Sequence, residues 1–260
     1  MSLRIVESTR IHGNMNANKR FYPEGMTQEE RERAFFEHRS LLGSQYSFDP
    51  NKIFMADQLD KRGTYFNITE EYVEANPKGW SDIREDILVV TDKVPGVVIG
   101  HPVADCPVVI MTDARKGVTA IGHCGAEMID RKLPIMIADA LVDACGSKDE
   151  DLFVYVSACA GPNWLYNNFP KWATDLEVWK NSIFEDNGVF RINLRKALVE
   201  QFEERNIKSQ NVIFNKRDTI TDERFYSNYA SSPSGLNNPS KAGRHFAGAF
   251  YESPLQLVKK

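Results

Sequence analysis

Apolar positions along the chain fall into runs of two periods. Val97 to Ile99, Cys106 to Met111 and Val118 to Gly122 are short β-branched runs bounded by Pro, Asp and Gly, the pattern of buried strands. They lie within residues 86–130, the most apolar stretch of the protein. Similar runs at 3–8, 52–56, 64–68, 152–157, 212–214 and 246–251 predict further strands. Helical spacing appears at Ala34, Phe35, His38, Leu41 and Leu42 behind a Thr27–Glu30 capping box. It recurs at Leu133, Ile137, Ala140, Leu141 and Ala144 before Gly146, at Trp172, Leu176, Trp179 and Ile183, and at Leu194, Ala197, Leu198, Gln201 and Phe202. Residues 69–85, interrupted by Pro77 and Gly79, predict a loop or short helix outside the core. The Ser-, Asn-, Pro- and Tyr-rich stretch 219–238 reads as a long loop, functional or mobile. Hairpins interspersed with helices predict an α+β fold, with mixed central sheets flanked by helices.

The central runs carry the candidate chemistry. Asp113 to Gly117 is a polar connection short enough for a hairpin, and a turn centred near Arg115 sets Cys106 opposite His123. Opposed residues on one sheet face have β-carbons roughly 5 Å apart, so the thiol and imidazole could share a metal ion or a proton. A slip of one residue would turn one partner to the other face. Cys124 should face away from His123 and serve packing. His101, five residues before Cys106, has a spacing that suits the opposite face of a strand, and so ranks below Asp60 as a possible ligand. Asp60, between two strands, is an acidic ligand or a turn residue, and turn chemistry favours the latter. His38 has no chemical partner in its helix and reads as structural. Ala160, Gly161 and Pro162 follow a strand and allow close approach of a ligand, though a tight turn needs the same residues. Arg244, at the start of the last strand, is a candidate anion binder.

Composition narrows the classes. The 260 residues are 42% hydrophobic and 26% charged, with a net charge of -4 and an isoelectric point near 5.8. That balance argues against a broad nucleic-acid footprint. No apolar run nears the roughly 20 residues of a membrane span, and the N-terminus lacks a signal peptide's apolar segment. The four cysteines are scattered without a CxxC pair, which predicts a reduced, cytoplasmic protein. No Gly-rich phosphate motif is present.

The ordered motifs carry a resemblance. Val103-Ala104-Asp105-Cys106-Pro107, then His123-Cys124-Gly125, then Ala160-Gly161-Pro162 resemble the ADC, HAGWRG and IGP elements of the YfiH-like family, also called multicopper polyphenol oxidase or laccase-domain proteins. Ser8-Thr9-Arg10 is similar to its STR, Phe225-Tyr226-Ser227 to its FFS, and Gly243-Arg244 to its closing GR. The resemblance therefore covers nearly the whole chain and implies a single YfiH-like domain over 1–260, similar to the catalytic fold of cytotoxic necrotising factor toxins. It also implies a metal, usually zinc, on two histidines and a cysteine, and phosphorolysis of adenosine or inosine, in some members with deamination. Copper, in the older family label, would want more nitrogen or thioether donors than this chain supplies.

Carried across, Cys106 and His123 match two metal ligands, and Asp60 stands where the other histidine is expected. Asp105, Cys106 and His123 are the expected catalytic residues, with Arg10, Gly161 and Arg244 binding substrate. The expected partners are a purine nucleoside and phosphate, with no nucleic acid or membrane. This chain departs from the pattern at Ala126, Glu127 and Met128, which stand where HAGWRG has Trp, Arg and Gly, and at Asn163 and Trp164, which replace paired cysteines. Asn228 and Tyr229 replace arginines, and losing bidentate cations weakens phosphate binding. Two other classes stay open. One is a metal-free hydrolase or deamidase with Cys106 as nucleophile, His123 as base and Asp60 or Asp105 orienting the imidazole. The other is a binding protein that kept the pocket and lost the chemistry.

Overall fold

The structure is a computed structural model that describes residues 2–16, 18–56, 62–79, 83–162 and 164–253. Two sheets face each other between helical layers. The smaller has the order β1 (Leu3–Glu7), β13 (His245–Tyr251), β5 (Val98–Val103) and β2 (Ile53–Met55). The larger runs β12 (Val212–Phe214), β8 (Phe153–Val156), β6 (Val108–Asp113), β7 (Val118–His123), β4 (Ile87–Thr91) and β3 (Tyr65–Ile68). Both mix parallel and antiparallel pairs, as β2 joins β5, β3 joins β4 and β12 joins β8 in parallel. The expected α+β class holds.

Period-two alternation decides what each face meets. Ile99 and Val103 of β5 and Ala247 and Ala249 of β13 turn inward to meet Leu88, Val90, Ile110 and Ile121 of the larger sheet. The opposite residues of the larger sheet, such as Val89, Val109 and Ala120, pack on α4 (Leu133–Cys145) and α6 (Leu194–Glu204). Val6, Val98, Phe246 and Phe250, on the outside of the smaller sheet, pack on Phe35 and Leu42 of α1 (Gln28–Tyr46). The capping box forms as expected: the Thr27 side chain accepts from the Glu30 N–H, and Glu30 accepts from the Thr27 N–H. The α1 stripe is rotated from the expected one. Arg39 and Gly43 are buried beside Phe35 and Leu42, whereas Leu41 is exposed.

Buried polar clamps tie these layers together. Glu7 of β1 accepts from Tyr155 Oη at 3.0 Å, Asn215 Nδ2 at 2.6 Å and the Ala158 N–H at 3.2 Å. Asp130, ending α3 (Ala126–Asp130), accepts from Trp179 Nε1 at 2.8 Å in α5 (Leu176–Trp179) and from the N–H groups of Thr174 and Asp175. The short α2 (Glu70–Ala75) falls where a loop or helix was expected.

The helix expected over Trp172 to Ile183 is confined to α5. Ile183 instead opens a third sheet, in the order β10 (Ile183–Asp186), β11 (Val189–Ile192) and β9 (Trp164–Tyr166). Asn187 and Gly188 both take positive φ in its turn, the conformation that favours Asn-Gly in two-residue hairpins. Within 219–238 the structure forms α7 (Asn228–Ser231). Among the described residues no helix is long and apolar enough to cross a membrane.

Candidate active site

The site forms where the chain leaves β5 and bends before entering β6. Asp105 occupies the bend with φ of 76°, a left-handed conformation that Asp tolerates better than most residues. Its buried carboxylate accepts from Thr219 Oγ1 at 2.8 Å and the Tyr229 N–H at 2.7 Å, with the Ser227 side chain also donating. Its main-chain carbonyl accepts from the Ala160 N–H at 2.7 Å. One carboxylate thus binds the 219–229 segment to the bend and fixes where Cys106 stands. Burial raises its pKa above the ordinary carboxylate value, against the pull of those donors and of Arg244. None of these partners is the His123 imidazole, so Asp105 anchors the site and does not orient that ring.

Cys106 lies two residues before β6, and Val108, not Cys106, is directly opposite His123. Cys106 and Val108 share parity, so the thiol turns toward the same space as the imidazole despite the displacement of two residues. The common space is at Gly125, the N-cap of α3. A β-carbon on Gly125 would lie 3.1 Å from Cys106 Sγ and 3.7 Å from His123 Nε2. Glycine therefore leaves a cradle bounded by the two candidate groups. Cys124 faces the other way and is fully buried in the helix-side core, as alternation requires.

His101 also belongs to this constellation. The bend at residues 104–106 separates it from Cys106, so the two are not on one strand and the alternation argument does not apply. Its ring stands 5.9 Å from that of His123, centroid to centroid, at 49°. Its Nδ1 contacts the Ala56 carbonyl at 3.1 Å, and a backbone hydrogen bond to Ile121 also acts on the ring. The Nε2 atoms of His101 and His123 are buried and have no hydrogen-bond partner among the described residues.

Electrostatics keep all three groups neutral. Burial lowers the pKa of His101 to about 4. Burial, reinforced by His101 and Arg244, lowers that of His123 to about 3. Burial and the neighbouring Asp105 push the Cys106 thiol up to about 12. Among the described residues no group of three or more His, Cys, Asp and Glu side chains stands at metal-holding spacing. Asp60 lies outside the described residues.

Cys106 and His123 line a pocket of about 730 Å³, within the usual size for small-molecule sites. Its walls include Trp164, Tyr166, Tyr229 and Asn228, and Trp164 stacks on Trp172 with 16° between the rings. Arg244 is the only Lys or Arg among its described lining residues. The Arg244 guanidinium lies over Phe21 at 4.4 Å and donates to the Gly243 carbonyl at 2.8 Å.

The other two expected substrate residues lie off the pocket wall. Arg10 donates to the carbonyl and carboxylate of Glu223. Gly161 donates its N–H to Asp218 Oδ1 at 2.9 Å, and a β-carbon there would lie 2.4 Å from Asp218 Oδ2. Its smallness accommodates Asp218, not a ligand. The aromatic wall was not read from the sequence. Asn187-Gly188 between two short apolar runs was the available signal for its hairpin.

Residues 4–247 match the family described as multi-copper polyphenol oxidoreductase laccase. The chain belongs to that family. Three solved structures share the laccase-family fold. YlmD from Geobacillus stearothermophilus is 14% identical with a TM-score of 0.72, over 92% of this chain and 85% of that one. The Neisseria meningitidis protein NMB0706 is 13% identical with a TM-score of 0.68, over 96% and 95%. The hypothetical protein YfiH of Bacillus licheniformis is 15% identical with a TM-score of 0.67, over 85% and 82%. No curated protein matches. The family description points to copper-oxidase-like metal binding, and identities this low speak for the fold alone.

Proposed function

We propose that this laccase-family member is a metal-dependent enzyme acting on a purine nucleoside, or a small molecule of similar shape, in the pocket above Cys106 and His123. The observation that carries the reading is the unpartnered Nε2 of His123 beside the Cys106 sulfur. A neutral imidazole with a buried lone pair suits a cation, and the Gly125 cradle leaves room beside both donors. Zinc, when bound, supplies Lewis acidity and favours Cys106 as its thiolate.

The chain's own groups do the rest. Trp164, Tyr166 and Tyr229 offer faces to a planar heterocycle, and such stacking contributes about 1–3 kcal/mol per base. Asn228 offers both a donor and an acceptor to polar edges. Arg244 provides positive charge for a phosphate or other anion. Asp105 keeps Cys106 at the pocket floor. Copper oxidation is less favoured: of five histidines, His12 bonds Gln45 and His38 bonds the Asn14 carbonyl, leaving few nitrogen donors for several copper ions.

A metal-free Cys106–His123 dyad is disfavoured by the same electrostatics. Proton transfer from a thiol raised to about 12 to an imidazole lowered to about 3 is steeply uphill. The test is to incubate zinc-loaded protein with adenosine or inosine, with and without phosphate, and separate the products by chromatography. Phosphate-dependent release of free base supports phosphorolysis, and conversion of adenosine to inosine supports deamination, each lost in Cys106→Ala. Tight nucleoside binding without turnover would assign the pocket to a binding protein. Neither binding nor turnover would end the nucleoside reading.

A further inference from the structure

We infer that Phe21 is a positioning residue of the pocket, whose ring holds the Arg244 guanidinium in place for a compact oxyanion such as phosphate, an inference that rests on the anion role given to Arg244 above. The guanidinium carbon stands 4.4 Å from the centre of the Phe21 ring, well inside the roughly 6 Å at which a cation is attracted to an aromatic face. Phe21 ends a short 3₁₀ turn, Lys19–Phe21, and is absent from the described pocket lining, which includes Arg244. The ring therefore acts on a bound anion only through Arg244.

The same N-terminal stretch grips Arg244 at its main chain. Asn14 Oδ1 accepts from the Arg244 N–H at 2.9 Å, and the Arg244 carbonyl accepts from the Met15 N–H at 2.8 Å. Asn14 and Met15 are buried, so residues 14, 15 and 21 together fix both the backbone and the charged end of one side chain. The Arg244 charge is felt at Asp105, Cys106 and His123, which places the held guanidinium beside the chemical centre. Positioning matters here because Asn228 and Tyr229 stand where the family resemblance expects arginines, and Arg244 is the only Lys or Arg of the described lining. A long side chain loses rotamer freedom when it grips an anion. A guanidinium already stacked on a ring has given up much of that freedom beforehand, and preorganisation of this kind raises affinity. Arg20 lies over the same ring at 4.5 Å but is exposed, so solvent and salt screen its charge.

Titration of the full-length protein with inorganic phosphate, followed by phosphorus NMR, reads anion binding apart from turnover. Adenosine binding is read in parallel by tryptophan fluorescence, and circular dichroism melts establish that each variant is folded. Arg244→Gln should lose phosphate binding. Phe21→Leu keeps an apolar side chain without an aromatic face, and should bind phosphate at least about threefold more weakly with adenosine affinity within about twofold of the parent. Phe21→Trp offers the strongest face to a cation and should match or exceed the parent for phosphate, a result that mere packing by Phe21 would not produce. Arg20→Gln should stay within about twofold of the parent, and weakening equal to that of Phe21→Leu would trace the effect to net charge and overturn the assignment. Parent-like phosphate binding in Phe21→Leu, weaker binding in Phe21→Trp, or adenosine affinity falling in step with phosphate would also overturn it. No phosphate bound by the parent would instead overturn the anion role of Arg244 beneath it.

Discussion

His245 isolates the electrostatics that govern the inter-sheet layer. It faces Val103 in register from β13 and is almost fully buried, and neither ring nitrogen has a hydrogen-bond partner among the described residues. Its ring meets Phe225 edge-on at 5.1 Å. Burial, with the positive charges of Arg244 and Lys241, lowers its pKa to about 3, against about 6.5 in an unfolded chain. Below about pH 6.5 the unfolded state takes up a proton that the folded state refuses, so stability falls as pH drops through that window. Between pH 7 and pH 5 this residue alone removes about 2 kcal/mol, a large part of a typical 5–15 kcal/mol stability. His101 and His123 act in the same direction. The raised carboxyls of Glu7 and Asp105 act in the opposite one, so the parent's slope alone mixes several groups. His245→Leu separates them, because the swap roughly conserves volume and breaks no hydrogen bond. Urea unfolding of metal-free protein at pH 7, 6 and 5 should show the variant within about 1.5 kcal/mol of the parent at pH 7. Its loss on going to pH 5 should be smaller by about 2 kcal/mol. Parallel curves for the two proteins would refute the claim that the fold keeps this imidazole neutral.

Other expectations follow from single contacts. Asp105→Ala strips Thr219 and Tyr229 of their acceptor and leaves alanine at positive φ, so thermal melts should show a loss of about 3 kcal/mol or more. Asp105→Asn, which tolerates that φ and keeps one carbonyl oxygen, should lose less, and equal losses would discount the anchoring role. Gly161→Ala should cost about 1–3 kcal/mol through its clash with Asp218 and leave adenosine affinity unchanged. Weaker binding without destabilisation would return Gly161 to the ligand wall. Peptide-level mass spectrometry should show Cys106 alkylated by iodoacetamide at pH 7.5 at least about a hundredfold more slowly than an unperturbed thiol. Rapid alkylation at neutral pH would favour the nucleophilic dyad.

By itself the sequence determined the α+β class, most strands, the main helices and the family, because period-two and period-3.6 patterns and ordered motifs are local properties. It also singled out Cys106 and His123, since a short polar connection between two apolar runs fixes which residues can meet. Tertiary structure decided the rest. The left-handed bend at Asp105 broke the strand on which His101 had been ranked, since alternation holds only while a strand continues, and it brought His101 beside His123 from the facing sheet. It placed Arg10 on Glu223 and Gly161 on Asp218, contacts that span more than 50 residues and leave no local periodicity. Long-range packing also assembled the aromatic wall, from β9, which pairs with the β10–β11 hairpin, and from Tyr229 of α7. Site membership here follows from which faces two separate sheets present to each other, and that is set by long-range packing.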